Sequence, residues 1–221
     1  MRSKYQVVQV KVIYEDNHLL VVEKPVNVPM QEDSSKDEDL LSMAKAYIKE
    51  KYNKPGDVYL GLLHRLDRPV SGVCVFARTS KAASRLSKQI SDHSFKKEYI
   101  AAVEDNGLKD HDRFEDYLIK DGRTNTVRVD PKGKKAVLEY EVLKRKDRLA
   151  IVKVMLKTGR SHQIRVQFSS RNHPLWGDQR YNKNAVIGQQ IALHSYRIEF
   201  RHPISDEVMI FTSEPDRYPL I

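Results

Sequence analysis

HRLDRPVSGVCVFA, residues 64–77, decides how this chain is read. Its second half, Val73–Ala77, is an unbroken apolar run, the form a strand takes when both of its faces are covered. Its first half sets His64, Arg65, Asp67 and Arg68 against that run. A carboxylate at the margin of a core needs a reason, because burial raises its pKa unless cations or hydrogen bonds hold the ionised form. If the strand runs through 64–68, alternation puts Arg65 and Asp67 on one face and Leu66 and Arg68 on the other. Downstream, TGRSHQIRV (158–166) offers Arg160 and Arg165, and either guanidinium can fork onto a carboxylate. On spacing alone, the pair is equally a buried bridge that fixes the fold and an ionised nucleophile or base in a basic cleft.

The flanking segments alternate between the periods of strand and helix. Val8, Val10 and Val12 share a face, LLVVEK (19–24) follows the turn at Glu15–Asn17, and both predict strands. The polar stretch QEDSSKDED predicts a surface loop. Leu40, Met43, Ala44, Tyr47 and Ile48 are spaced for a helix that NKPGD ends. Thr79 or Ser80 is placed to cap a second helix, with Ala82, Ala83, Leu86 and Ile90 as its buried stripe. YLGLL and KKEYIAAVE predict strands, and 116–156 a β-meander turning at DGRTN, DPKGK and RKD. Ser161 is placed to cap a third helix with Ile164 and Phe168 one turn apart, and IALHSYRIEF with EVMIFTS predicts a last hairpin. Strands and hairpins dominate, so the expected class is α+β: a largely antiparallel mixed sheet flanked by helices around a central basic cleft. No linker or repeat divides the chain, and 1–221 is expected to be one domain.

Composition narrows the partner. The chain carries a net charge of +9 with a pI near 9.4, which favours a polyanion, because every Lys or Arg that meets a phosphate releases counterions. Nucleic acid is preferred to an anionic membrane, since no basic amphipathic helix with exposed aromatics is visible. The single cysteine, Cys74, fits a reducing compartment, and there is no signal-like or membrane-spanning run. A cytoplasmic protein is expected. There is no G-x-x-x-x-G-K-[ST], G-x-G-x-x-G or G-x-S-x-G pattern, and the histidines have no zinc spacing. No metal and no cofactor are expected.

HRLDRPVSGVCVFART, KKEYIAAV and LKTGRSHQIRVQFSSRNHPLWGDQRY, together with the leading VIYEDNHLLVVEKP, resemble in sequence and order the RluA-type family of RNA pseudouridine synthases. The resemblance runs from about residue 12 to 200 and implies isomerisation of specific uridines in rRNA or tRNA, with the target base flipped out. It implies that Asp67 is the catalytic aspartate, that Arg165 pairs with it and that Tyr99 packs against the flipped base. Arg65 falls on the arginine that enters the RNA stack, and Leu193 on an apolar position lining the uracil pocket. His64, Arg160 and His162 are expected beside them as RNA contacts. Pro69–Val70, Arg78 and Gln167 depart from the family's commoner residues, the second removing a hydroxyl from the loop after Asp67. The S4-like N-terminal domain of many relatives has no counterpart here, and a monomer is expected.

Overall fold

A computed structural model describes residues 10–221; Val8, the first member of the predicted alternation, lies outside them. Among the described residues the elements in chain order are β1 (Lys11–Glu15), β2 (Leu19–Lys24), α1 (Leu40–Lys51), β3 (Gly61–Leu62), β4 (Ser71–Ala77), α2 (Ser80–Ser91) and β5 (Lys96–Glu104). There follow β6 (His111–Asp121), β7 (Thr126–Val129), β8 (Lys134–Lys146), β9 (Leu149–Leu156), α3 (Gln163–Ser169), β10 (Leu193–Arg201) and β11 (Val208–Thr212).

The strands form one 11-stranded sheet in the order β1-β2-β4-β10-β5-β9-β8-β6-β7, with β11 paired to β10 and β3 to β4. Every pairing is antiparallel except β4 with β10, so the class is α+β with a largely antiparallel sheet. β4 is buried along its whole length, as its apolar run requires. Its alternate residues feed two cores: Cys74 and Phe76 join Leu20, Val22 and α1 (Leu40, Ala44, Ile48) on one face. Val73 and Val75 join Leu86 of α2, Phe95, Ile198 and Phe200 on the other. Asp39 caps α1, accepting from the Ser42 N–H at 3.0 Å, and Thr79 caps α2, accepting from the Ala82 N–H at 3.1 Å.

Three expectations need correction. The strand read in YLGLL shrinks to Gly61–Leu62; 63–67 run outside any ladder and Arg68–Pro69 form a turn. Pro69 has no N–H to give, and the Val70 N–H turns back to the Asp67 carbonyl at 2.9 Å. The meander begins at His111, ahead of Asp116. α3 starts after His162 rather than Ser161; His162 sits left-handed at φ 51° and its side chain caps nothing, because the ring turns towards the site.

Candidate active site

Burial alternates along 64–67, outside any ladder: His64 and Leu66 are buried, Arg65 is exposed and Asp67 is half-exposed. Arg68 breaks the alternation, because the turn at Asp67 swings it out to the acidic loop, where it pairs with Asp37 and donates to Ser35 Oγ at 2.9 Å and the Asn27 carbonyl at 3.1 Å. The turn is held from beneath. Lys24, at the end of β2 and fully buried, donates from Nζ to the carbonyls of Pro25, Arg68 and Val70 at 2.9, 2.8 and 2.7 Å. Burial pulls this amine down to about 7, with the Cys74 thiol and the Asp67 carboxylate opposing the fall. From the rim, Gln190 Nε2 donates to the Pro69 carbonyl at 2.6 Å.

Asp67 opens onto a cleft of about 1670 Å³ and a recess of about 60 Å³. Leu66, Val70, Tyr99, Leu156, Ile164 and Leu193 supply the apolar surface of the recess, with Tyr99, Leu156 and Leu193 coming from β5, β9 and β10. Arg165, on the buried face of α3, donates from Nη1 to Asp67 Oδ2 at 3.0 Å. Its fork goes elsewhere: Nε and Nη2 donate to Asp178 Oδ2 and Oδ1 at 2.8 and 2.7 Å, and Asp178 is buried. Burial alone would lower the Arg165 guanidinium, and the carboxylates of Asp178 and Asp67 outweigh it, so its pKa lies above the ordinary value. Asp178 also accepts from the Arg180 and Tyr181 N–H groups at 3.0 and 3.3 Å, which fixes its own loop. Asp178, Arg165 and Asp67 therefore form a chain in which the guanidinium is immobilised before it meets the exposed carboxylate.

His162 closes the far side, with Nε2 3.8 Å from Asp67 Oδ2. The Tyr181 hydroxyl accepts from the Val127 N–H at 2.8 Å and shares a 2.7 Å hydrogen bond with His162 Nδ1, which fixes the ring with Nε2 facing Asp67. Burial holds the imidazole pKa below its ordinary value in spite of Asp67. Burial likewise raises the Tyr99 phenol, with the Asp67 charge adding to it.

Of the residues the sequence singled out, Asp67, Tyr99, Arg165, Arg65, Arg160, His162 and Leu193 all line the recess. Arg65 is exposed, and Arg160 donates from Nε to the Lys135 carbonyl at 2.8 Å. His64 is placed differently: it is buried against Phe95, its Nε2 accepts the Val75 N–H at 3.2 Å, and burial depresses it to about 3. A neutral ring committed to β4 serves the strand rather than a ligand. Asp178, Tyr181 and Lys24 escaped the sequence reading, although the first two lie inside the quoted GDQRY and the third inside VVEKP. For Lys24 the signal was a charged side chain closing an apolar run; for Asp178 and Tyr181 it was membership of the quoted motif. Among the described residues, no three His, Cys, Asp or Glu side chains converge to hold a metal, and no helix is long and apolar enough to cross a membrane.

Residues 18–170 match the family described as RNA pseudouridylate synthase. The chain is similar to the uncharacterized RNA pseudouridine synthase YhcT of Bacillus subtilis, at 32% identity over 91% of this chain and 67% of that one. It is similar to the dual-specificity RNA pseudouridine synthase RluA of Haemophilus influenzae, at 33% identity over 93% of each chain. Ribosomal large subunit pseudouridine synthase D of Zymomonas mobilis is 31% identical over 95% of this chain and 70% of its own. The human RNA pseudouridylate synthase domain containing 4 shares the fold with a TM-score of 0.79 and 19% identity, over 94% of this chain and 89% of the other.

Proposed function

The chain belongs to the RNA pseudouridylate synthase family, isomerases that modify RNA, and we propose that it converts specific uridines of rRNA or tRNA to pseudouridine with Asp67 as the catalytic carboxylate. The observation that carries the reading is the immobilised ion pair at an open recess: Arg165, clamped by Asp178, reaches Asp67 at 3.0 Å, and Asp67 remains part-exposed beside an apolar hollow.

The chemistry asks for that combination. Breaking the bond between uracil and ribose builds positive character on the sugar carbon, which a carboxylate stabilises through space, captures covalently or relieves by removing a neighbouring proton. All three routes need the carboxylate oriented, which Arg165 provides at 3.0 Å, with the His162 ring packed alongside. The detached uracil must stay, turn and rejoin through carbon. Tyr99, Leu193, Leu66 and Val70 give it an apolar chamber that sheds water. A base inside a helix cannot reach this recess, so the nucleotide is everted, which costs a few kcal/mol. Arg65, exposed and adjacent to the recess, offsets part of that cost by stacking in the vacated gap.

Asp67→Asn tests the assignment. It keeps the shape and the hydrogen bond from Arg165 but removes the charge. Tritium release from 5-labelled uridine in RNA is expected to fall below about 1% of wild type, with RNA affinity within about threefold, the loss being confined to the chemical step. Retention of more than a few per cent of wild-type turnover would exclude Asp67 from the chemistry.

A further inference from the structure

Strand β5 carries Val103, Ala101 and Tyr99 into the main core on one face, and the next position on that face is Lys97. An apolar residue is what the alternation calls for there. Lys97 lines the same cleft as Asp67 and is only partly exposed. Its ammonium lies over Gly159 in the turn before α3: a Cβ built on that glycine would stand 3.0 Å from Nζ. The TGR turn thus leaves room for a cation where a side chain on residue 159 would crowd it.

The cleft's other cations that are withdrawn from solvent have protein partners: Arg165 has Asp67 and Asp178, and Arg68 has Asp33 and Asp37. The exposed ones need none to stay solvated: Arg180 donates to the carbonyls of Thr124 and Asn125, Lys157 has Glu139 at 2.9 Å, and Arg65 and Lys120 are unpaired among the described residues and bathed in water. Lys97 is different: among the described residues no carboxylate, carbonyl or hydroxyl lies within hydrogen-bond reach of Nζ, and burial lowers its pKa without any opposing partner. Stripping water from an ammonium without pairing it costs several kcal/mol. A protein holds a cation in that state when a ligand's anion completes it.

We propose that Lys97 is a phosphate site for the RNA strand, taking the backbone phosphate next to the everted nucleotide. The assignment rests on the RNA-modifying reading. Lys97 and Tyr99 are two residues apart on one face of β5, so their side chains leave the strand about 7 Å from each other. A nucleotide seated against Tyr99 therefore brings its flanking phosphate into the reach of a lysine stem. A single flexible point charge suits a phosphate that moves as the base turns over.

The test is a binding series with a stem–loop RNA carrying uridines in its loop, followed by fluorescence anisotropy between about 50 and 200 mM KCl. Lys97→Met is expected to reduce the log–log salt slope by about 0.7–0.9, one phosphate's share, and to weaken low-salt binding about tenfold. Lys97→Arg should keep the slope, and Lys146→Met, which removes an equal charge at the distant β8–β9 turn, should leave it unaltered. Uncharged methylphosphonate links placed singly along the loop then locate the contact. One link should lower the wild-type slope and have no further effect on Lys97→Met. If the Met variant does not fold, Lys97→Gln carries the same comparison. A folded variant with the wild-type slope, or no link redundant with the substitution, overturns the site while leaving the enzyme reading intact. Wild-type binding indifferent to salt would overturn that reading as well.

Discussion

In Asp178→Asn, the side chain keeps its volume but holds Arg165 by one oxygen in place of two, and a buried guanidinium loses its balancing charge. Breaking a buried ion pair from one side costs about 3 kcal/mol or more, so the urea midpoint should fall clearly. Turnover should drop about 100-fold with KM little changed, since a guanidinium free to swing misplaces Asp67 without touching the RNA. Lys24 makes a prediction in pH. Its amine sits near 7 in the folded state and near its ordinary value once unfolded, so between those limits the unfolded chain binds the additional proton. Burying the charge penalises folding below pH 7, and the penalty fades as pH rises towards 10. The stability of wild type relative to Lys24→Met should therefore grow across that window, by at most about 1.4 kcal/mol per pH unit, in paired urea titrations. A difference that stays flat would mean the three carbonyls compensate the ammonium in full. Asp67 and Arg165 were legible in the sequence because motif and charge pattern coincide. Asp178 and Lys24 were not, because their importance lies in what they touch across 13 and 44–46 residues.

At the scale of elements, the glycine of the first quoted motif lets two strands approach closely. Gly72 has a φ of +115° and faces β10 at the parallel crossing, where a Cβ would collide with the Ser195 carbonyl and lie 2.6 Å from its nitrogen. Gly72→Ala is expected to cost more than about 3 kcal/mol and to lower Tm by about 10 °C in a thermal melt. A shift under a few degrees would mean that β4 and β10 separate without loss. The starts of α1 and α2 were read well because caps are local, Asp39 and Thr79 standing where the pattern puts a boundary, whereas α3 begins one residue late and Ala83 and Ile90 of the α2 stripe are only partly buried. The last hairpin was also local, and β10 and β11 do pair. What periodicity could not show is that β10 enters the middle of the sheet, between β4 and β5, since nothing in its apolar alternation names its second and third neighbours. The same non-local closure explains why YLGLL yields only two strand residues: the chain leaves the ladder there to carry Arg65 and Asp67 over the floor that β10, β5 and β9 provide.

For the molecule as a whole, the charge is +9, and among the described residues many cations outside the cleft are tied up in surface ion pairs such as Lys153–Glu141 and Arg145–Asp110. Composition gave the sign of the partner correctly and nothing about where it sits. The strand order has a temporal consequence. Leu193–Arg201 is synthesised late, yet it is the central rung against which both halves of the sheet close. Until the ribosome has delivered it, β4 and β5 have no common neighbour and Leu193 is missing from the hollow beside Asp67. A nascent chain that stops short of this strand lacks the rung joining the two halves of the sheet, so the hollow beside Asp67 closes only after β10 has emerged from the ribosome.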